Sequence, residues 1–301
     1  GDNNDTLYGN GGNDLLVGGA GSDKFIGGTG FDAYRDDFDL SKAILNGCQV
    51  ADIDQEGSYT CQTLSALSAA ARQGFDFSKV ITNKGNGAYD VKLLGGSTQR
   101  VTFDGSWTDG DPAPKTNADG TNSREFWTIL MQRARLQHLG VPTNQEWTDA
   151  FVQKWKAAKP DLTSANSALQ HFTGKSTSSI DATTATTSSK RIELAQNLQS
   201  RLAKQELLIA CSYQGEKKVP NGDGIAYSHC YAVLEVRKLS SGQYVVDLYN
   251  PWATDSKWSD GSARTLDANK PAGREVKNDG FITLTIEAFQ RSFRTVVTGS
   301  K

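Results

Sequence analysis

Cysteine is scarce in this sequence: four residues (Cys48, Cys61, Cys211, Cys230) in 301. At separations of 13, 150 and 19 they form neither the framework of a disulfide-stapled scaffold nor a C-x-x-C zinc site. Long apolar runs are missing too. No stretch of 18 residues could span a membrane as a helix, and nothing reads as a signal peptide or lipidation site. Charge of one sign is not in excess; the formal net charge of −2 leaves no basic footprint for nucleic acid or an anionic membrane. Histidine is limited to His138, His171 and His229, so any imidazole chemistry must draw on one of three side chains. What remains is 37% hydrophobic and 22% charged residues, enough for one two-lobed domain or two small ones. Gly1 opens inside a repeat, so the sequence is expected to be a piece of a longer chain.

That repeat has a period of nine. Asp5, Asp14, Asp23 and Asp32 recur in register, with Leu7, Leu16, Phe25 and Tyr34 two places later. Gly9, Gly18 and Gly27 close the units, while Gly12, Gly21 and Gly30 stand two places before an aspartate. Four positions kept in step exclude a disordered Gly/Asn/Asp linker. The pattern resembles the calcium-binding nonapeptide repeat of RTX proteins. Glycines permit the tight turn, backbone carbonyls and Asp supply hard oxygen ligands, and the large apolar residue starts a short strand. Two repeats make one coil, so the expected calcium pairs are Asp5 with Asp23 and Asp14 with Asp32. The first unit carries Asn3 in place of glycine, and its site is expected to be incomplete.

Composition changes near Tyr34. Residues Cys61–Arg72 read as a helix with Ser58 and Thr60 available as caps. Strands are expected at 89–94 and 100–103, then a polar loop over 108–122, then an amphipathic helix over 124–139 capped by Ser123. A helix over 144–157 follows. The Ser/Thr-rich stretch 173–190 reads as an exposed loop, followed by a helix over 191–204 and strands at 207–213, 230–237, 243–249 and 280–286. Cys211 is expected to be inert packing in a buried strand. Cys48 and Cys230 are read as structural, with a pair between them left open.

Cys61 opens its helix. A thiol there meets oriented N–H groups and the positive dipole end, which favour the thiolate, and the same donors suit an oxyanion. Gln55, six residues upstream, offers a side-chain amide. His138 and His171 occupy ordinary helical and turn settings. His229 instead enters the strand that begins at Cys230, and the next strand ends in Asn250-Pro251-Trp252. Antiparallel neighbours would set His229 beside Asn250, which can fix the ring, with Trp252 shielding the bond. Singly, each residue also reads as ordinary packing.

Together they resemble the active-site blocks of calpain-type cysteine peptidases: Gln55 and Cys61 before a helix, Ser228-His229-Cys230-Tyr231-Ala232-Val233, and Tyr249-Asn250-Pro251-Trp252. Further segments match in the same order, including Arg124-Glu125-Phe126-Trp127, Leu169–Gly174, Leu207–Ser212 and Asn278–Phe281. The likeness runs from about Asn46 to Phe293. It implies an α+β fold: a papain-like core with a helical lobe (36–172) carrying Cys61, a β-rich lobe (173–301) carrying His229 and Asn250, and an N-terminal parallel β-roll over 1–35. It implies an endopeptidase acting on extended or unfolded protein segments, with Cys61 as nucleophile, His229 as base, Asn250 as orienter and Gln55 at the oxyanion. Where the family usually has Gly-Asp before the cysteine and Trp after it, Tyr59-Thr60 and Gln62 stand here. Of the family's core calcium carboxylates in the second lobe, Asp260 and Asp279 match, but Phe281 replaces an acidic residue. No EF-hand loop is present.

The expected partners are therefore a protein or peptide substrate and Ca2+, with no nucleic acid and no membrane span; self-cleavage is expected at the Ser/Thr loop or the repeat junction. The repeats point to a secreted or cell-surface bacterial protein. Oligomeric state is not legible. A rival reading is a non-catalytic calcium-dependent adhesion module on a peptidase fold, which predicts a lost catalytic residue. A transglutaminase-type acyl transferase would normally carry Asp where Asn250 stands.

Overall fold

A computed structural model describes residues 1–55, 59–116, 124–143, 146–214, 225–253 and 279–300. In it the nonapeptide period becomes paired strands eighteen residues apart. Strand β1 (Thr6–Gly11) and β2 (Leu15–Val17) are each followed, two repeats later, by a parallel partner: β3 (Lys24–Thr29) and β4 (Ala33–Arg35). Leu7 faces Phe25 and Leu16 faces Tyr34, so the large apolar residues stack by column. The aspartates stack too: the Asp5 amide donates to Asp23 Oδ1 (2.7 Å) and the Asp14 amide to Asp32 Oδ1 (2.9 Å).

The chain groups into two units, Gly1–Thr60 with Asp76–Thr163, and Cys61–Phe75 with Ser164–Lys301. Helix α1 (Cys61–Arg72) thus interrupts the first unit in sequence and belongs to the second. After the repeats, the first unit contains a meander of β5 (Ile81–Gly85), β6 (Ala88–Lys92) and β7 (Thr98–Thr102), then β8 (Ser106–Thr108), which runs antiparallel to β4. Two-residue strands β9 (Lys115–Thr116) and β10 (Arg124–Glu125) lead to α2 (Trp127–Leu139) and α3 (Asp149–Ala158).

Helix α2 starts three residues later than its periodicity suggests, and Ser123 lies outside the described residues. Glu125 is drawn away by the amides of Leu45 and Asn46, which its Oε1 accepts at 2.8 and 2.7 Å. Helix α3 starts at Asp149 because Thr148 caps it. Around α2 the core is aromatic: Phe103 stacks on Phe126 (4.4 Å) and Phe77 on Trp127 (4.9 Å). Arg133 is buried in a bidentate pair with Asp111 (2.9 and 2.7 Å) and also donates to the carbonyls of Thr102 and Ser106. That full set of acceptors is what makes a buried guanidinium tolerable.

The second unit is built on a six-stranded antiparallel sheet, ordered β11 (Thr177–Asp181), β16 (Phe293–Gly299), β12 (Leu207–Ser212), β13 (Cys230–Lys238), β14 (Tyr244–Tyr249), β15 (Phe281–Thr285). Consecutive residues in the central strands are buried together: Ile209 with Ala210, Ala232 with Val233, Val245 with Val246. Both faces are therefore covered, which explains the unbroken apolar runs. Helices α5 (Ser188–Ala203) and α6 (Ile286–Ser292) join one cluster with Tyr231, Val233, Val246 and Leu248. Helix α1 packs on β12 and β13, and α4 (Ala165–Thr173) packs on α1 and β16.

The Ser/Thr-rich stretch is ordered where the sequence reads as an open loop. Its residues 177–181 form the edge strand β11 against β16, and Thr187 caps α5. Hydroxyl side chains suit an edge: Ser178 and Thr298 bond each other across it at 2.8 Å.

Candidate active site

Helix α1 owes its position to small residues. Ala66, Ala69 and Ala70 are at most 2% exposed, so the helix approaches β12 and β13 closely, and burial of Leu64 and Leu67 contributes about 1.5–3 kcal/mol each. Its buried hydroxyls find backbone acceptors. Ser68 Oγ donates to the Leu64 carbonyl (2.8 Å) and Ser65 Oγ to the Cys230 carbonyl (2.7 Å). The latter bond ties the first turns of α1 to the start of β13.

Cys61 is the first residue of that helix and is 5% exposed. Burial pushes its thiol up to about 11, against the pull of the backbone N–H groups of Cys230, Gln62 and Cys61 itself, which face the sulfur.

His229 and Asn250 sit where β13 begins and β14 ends. The register aligns Ala232 with Tyr249, which brings the side chains together: His229 Nε2 lies 2.8 Å from Asn250 Oδ1. With the oxygen accepting, Nε2 carries the proton and Nδ1 is left as the basic nitrogen. Asn250 is fully buried and held by its own backbone. Its amide donates to the Gly280 carbonyl (2.8 Å), and its Oδ1 also accepts from the Trp252 amide (3.2 Å). Gly280 has φ of +82°, and a Cβ there would come within 2.9 Å of the Asn250 carbonyl, so this turn admits only glycine without displacement.

The imidazole is boxed by rings. Trp252 stacks on it at 4.0 Å and Tyr231 meets it edge-on at 4.9 Å. Burial pulls His229 down to about 4, against the upward pull of the Asn250 hydrogen bond. Burial thus disfavours both the thiolate and the imidazolium, opposite to the thiolate expected from the helix terminus alone. Gln55 is buried in the first unit at 3% exposure, and residues 56–58 lie outside the described chain.

A feature the sequence reading missed stands beside His229. Cys230 is not paired with Cys48; it forms a disulfide with Cys211, its direct partner across β12 and β13, while Cys48 and Cys61 are free thiols. Cys211 is thus a cross-link and not inert packing, and a separation of 19 in sequence does not reveal that the two cysteines face each other across neighbouring strands. Among the histidines, His138 Nδ1 meets Ser97 Oγ at 3.1 Å and His171 is buried in α4.

In the repeats, buried Asp14 Oδ2 and Asp32 Oδ2 have no hydrogen-bond donor. Each oxygen lies over the glycine that opens its turn: a Cβ on Gly9 would be 2.8 Å from the first, and one on Gly27 only 2.0 Å from the second. The Gly27 carbonyl would also meet a Cβ on Gly9 at 2.4 Å. Buried anionic oxygens beside carbonyls are a hard-cation donor set, and they fit Ca2+. Among the described residues no three His, Cys, Asp or Glu side chains converge, so an ion here would take most of its ligands from the backbone. Asp279 Oδ1 accepts from the Phe281 amide at 3.1 Å, and Asp260 lies outside the described residues.

Residues 36–299 match the model of the calpain family of cysteine proteases, and residues 1–33 match four copies of the RTX calcium-binding nonapeptide repeat. The chain belongs to the calpain family of cysteine proteases. Among curated relatives, the calpain-type cysteine protease DEK1 of Arabidopsis thaliana is 27% identical over 260 residues, covering 82% of this chain and 11% of that protein. The calpain-type cysteine protease ADL1 of Oryza sativa subsp. japonica is 26% identical over 260 residues, with the same shares. This chain thus spans about a tenth of the length of the relatives it matches. No helix among the described residues is long and apolar enough to cross a membrane.

Proposed function

We propose that this chain is a secreted or cell-surface cysteine endopeptidase with a papain-like core, in which Cys61 attacks, His229 transfers protons and Asn250 orients the ring, and whose N-terminal repeats form a calcium-loaded β-roll. The observation that carries the reading is the buried 2.8 Å bond between His229 and Asn250 under Trp252, at the start of the strand to which helix α1 is tied by the Ser65–Cys230 bond.

The reaction starts from a neutral pair. As Sγ bonds to the substrate carbonyl carbon, its proton passes to His229 Nδ1, and the carbonyl oxygen takes up negative charge. The Cys61 amide and the Gln55 side chain are the donors proposed for that oxyanion. The imidazolium then gives its proton to the leaving nitrogen, the C–N bond breaks, and a thioester remains. Water, deprotonated by His229, cleaves the thioester and restores the thiol. Asn250 keeps Nε2 protonated throughout, so Nδ1 is always the nitrogen that exchanges protons.

The orphaned oxygens of Asp14 and Asp32, and the equivalent pairing of Asp5 with Asp23, support Ca2+ as the ion that folds the roll. Such repeats are typical of secreted bacterial proteins, which supports the proposed location.

Cleavage of unfolded casein by the parent chain and by Cys61→Ala, with calcium present, tests the assignment. Activity should fall by several orders of magnitude, and a thiol-reactive epoxide peptide should label Cys61. Equal rates for the two proteins would falsify the nucleophile.

A further inference from the structure

The roll does not simply stop at its last repeat. Two repeats beyond Asp32 and Tyr34, a longer roll would place another aspartate and another large apolar residue. Here the strand β8, more than seventy residues away in sequence, occupies that rung and runs in the opposite direction. Tyr34 pairs with Trp107, and Ala33 with Thr108. Because the strand is reversed, the matching aspartate should follow the apolar residue by two places instead of preceding it by two. Asp109 stands there.

Its bonds repeat those of the roll. The Asp14 amide donates to Asp32 Oδ1 at 2.9 Å, and the Asp32 amide donates to Asp109 Oδ2 at 2.8 Å. The Asp109 amide returns a bond to the Asp32 carbonyl (3.2 Å), and the Tyr34 hydroxyl donates to Asp109 Oδ1 (2.5 Å). Trp107 likewise continues the apolar column, meeting Phe25 at 5.2 Å and Tyr34 at 5.5 Å, and is 5% exposed.

The segment that carries this rung is firmly mounted. Arg133 holds Asp111 and the Ser106 carbonyl, while Gln132 and Trp147 both donate to the Gly110 carbonyl (2.8 and 3.1 Å). An open groove of about 690 Å3 lined by Asp32, Tyr34, Trp107, Asp109 and Trp147 leaves this end of the roll reachable by an ion.

We infer that Trp107 and Asp109 are a chain-reversed last rung supplied by the peptidase part, and that Asp109 positions Asp32 for calcium. Terminal repeats of a stacked array need a partner for their exposed edge. Here that partner is a prefolded element of the same chain, so calcium occupancy at Asp14 and Asp32 and the packing of residues 106–111 stabilise each other. Asp109 is a positioning residue: its oxygens are bonded to protein donors, and it acts on the ion through the Asp32 backbone. The inference rests on the proposed calcium role of Asp14 and Asp32.

Calcium titration by calorimetry of the full chain carrying Cys61→Ala, stripped beforehand with chelator, tests it. Asp109→Ala removes the side-chain acceptor bonded to the Asp32 amide and should weaken calcium binding at the affected site by roughly tenfold or more. Tyr34→Phe and Asp109→Asn, which keep the shape, should weaken it less. Hydrogen exchange at residues 106–109 should slow on adding calcium in the parent and not in Asp109→Ala. Parent-like affinity in Asp109→Ala and Asp109→Asn alike would overturn the positioning role while leaving calcium binding by the repeats intact. A parent chain that takes up no calcium would overturn both.

Discussion

Replacing Asn250 by alanine isolates the part of the site that the structure defines best. The substitution removes the acceptor of a buried bond and leaves the His229 Nε2 proton without a partner under Trp252. Losing such a bond costs about 2–3 kcal/mol, counting the stranded donor. If the same amount is lost from the transition state, kcat/KM falls by roughly 30- to 150-fold, since about 1.4 kcal/mol corresponds to one power of ten. The pH profile carries a second signature. The Asn250 bond raises His229 against the dominant effect of burial. Its removal must therefore lower the imidazole further and shift the acidic limb of kcat/KM to lower pH. Initial rates on a fluorogenic peptide between pH 3 and pH 9, with active sites titrated by an epoxide peptide, measure both quantities. A variant within twofold of the parent, or an acidic limb displaced upward, would refute the orienting role of Asn250.

Acid should weaken the second unit. His229 sits near 4 when folded against an ordinary 6.5, so the unfolded chain binds the extra proton between those values. Stability from this group is complete above about 6.5 and is lost as pH falls toward about 4, by about 3 kcal/mol; denaturant midpoints that stay level over this window in the parent, or fall equally in His229→Gln, would contradict it. Reducing the Cys211–Cys230 bond should lower stability by roughly 3 kcal/mol, the scale for a loop of about this length, seen as a shift in the urea midpoint after Cys61 has been blocked. An unchanged midpoint would mean that the strands need no covalent link.

Much of the site was readable because its parts are local. Cys61 begins a helix whose bounds, Cys61–Arg72, follow from the Ala/Ser run and Arg72 at its end. His229 and Asn250 stand at the start and finish of consecutive strands, and antiparallel pairing alone makes such ends neighbours. The stacking of Asp5 on Asp23 and Asp14 on Asp32 was legible for the same reason, since a fixed period of nine maps directly onto stacked turns. What escaped depends on long-range pairing. Residues 177–181 become a strand only because β16, at the far end of the chain, offers them an edge. Trp107 and Asp109 join the roll in reversed direction, so no forward repeat could reveal them. The Cys211–Cys230 bond depends on a register that neither strand states by itself.

That bond sets opposing chemical demands at neighbouring positions. In the proposed mechanism Cys61 must stay reduced, while the two sulfurs that fasten the first residue of β13 must stay oxidised. Reducing agents routinely added to revive thiol enzymes would also attack the fastening next to the proposed base, and strong oxidants would spare the fastening while consuming the nucleophile. The proposed mechanism thus calls for surroundings mild enough to leave a buried sulfhydryl intact and too poor in free thiols to open a cross-strand link.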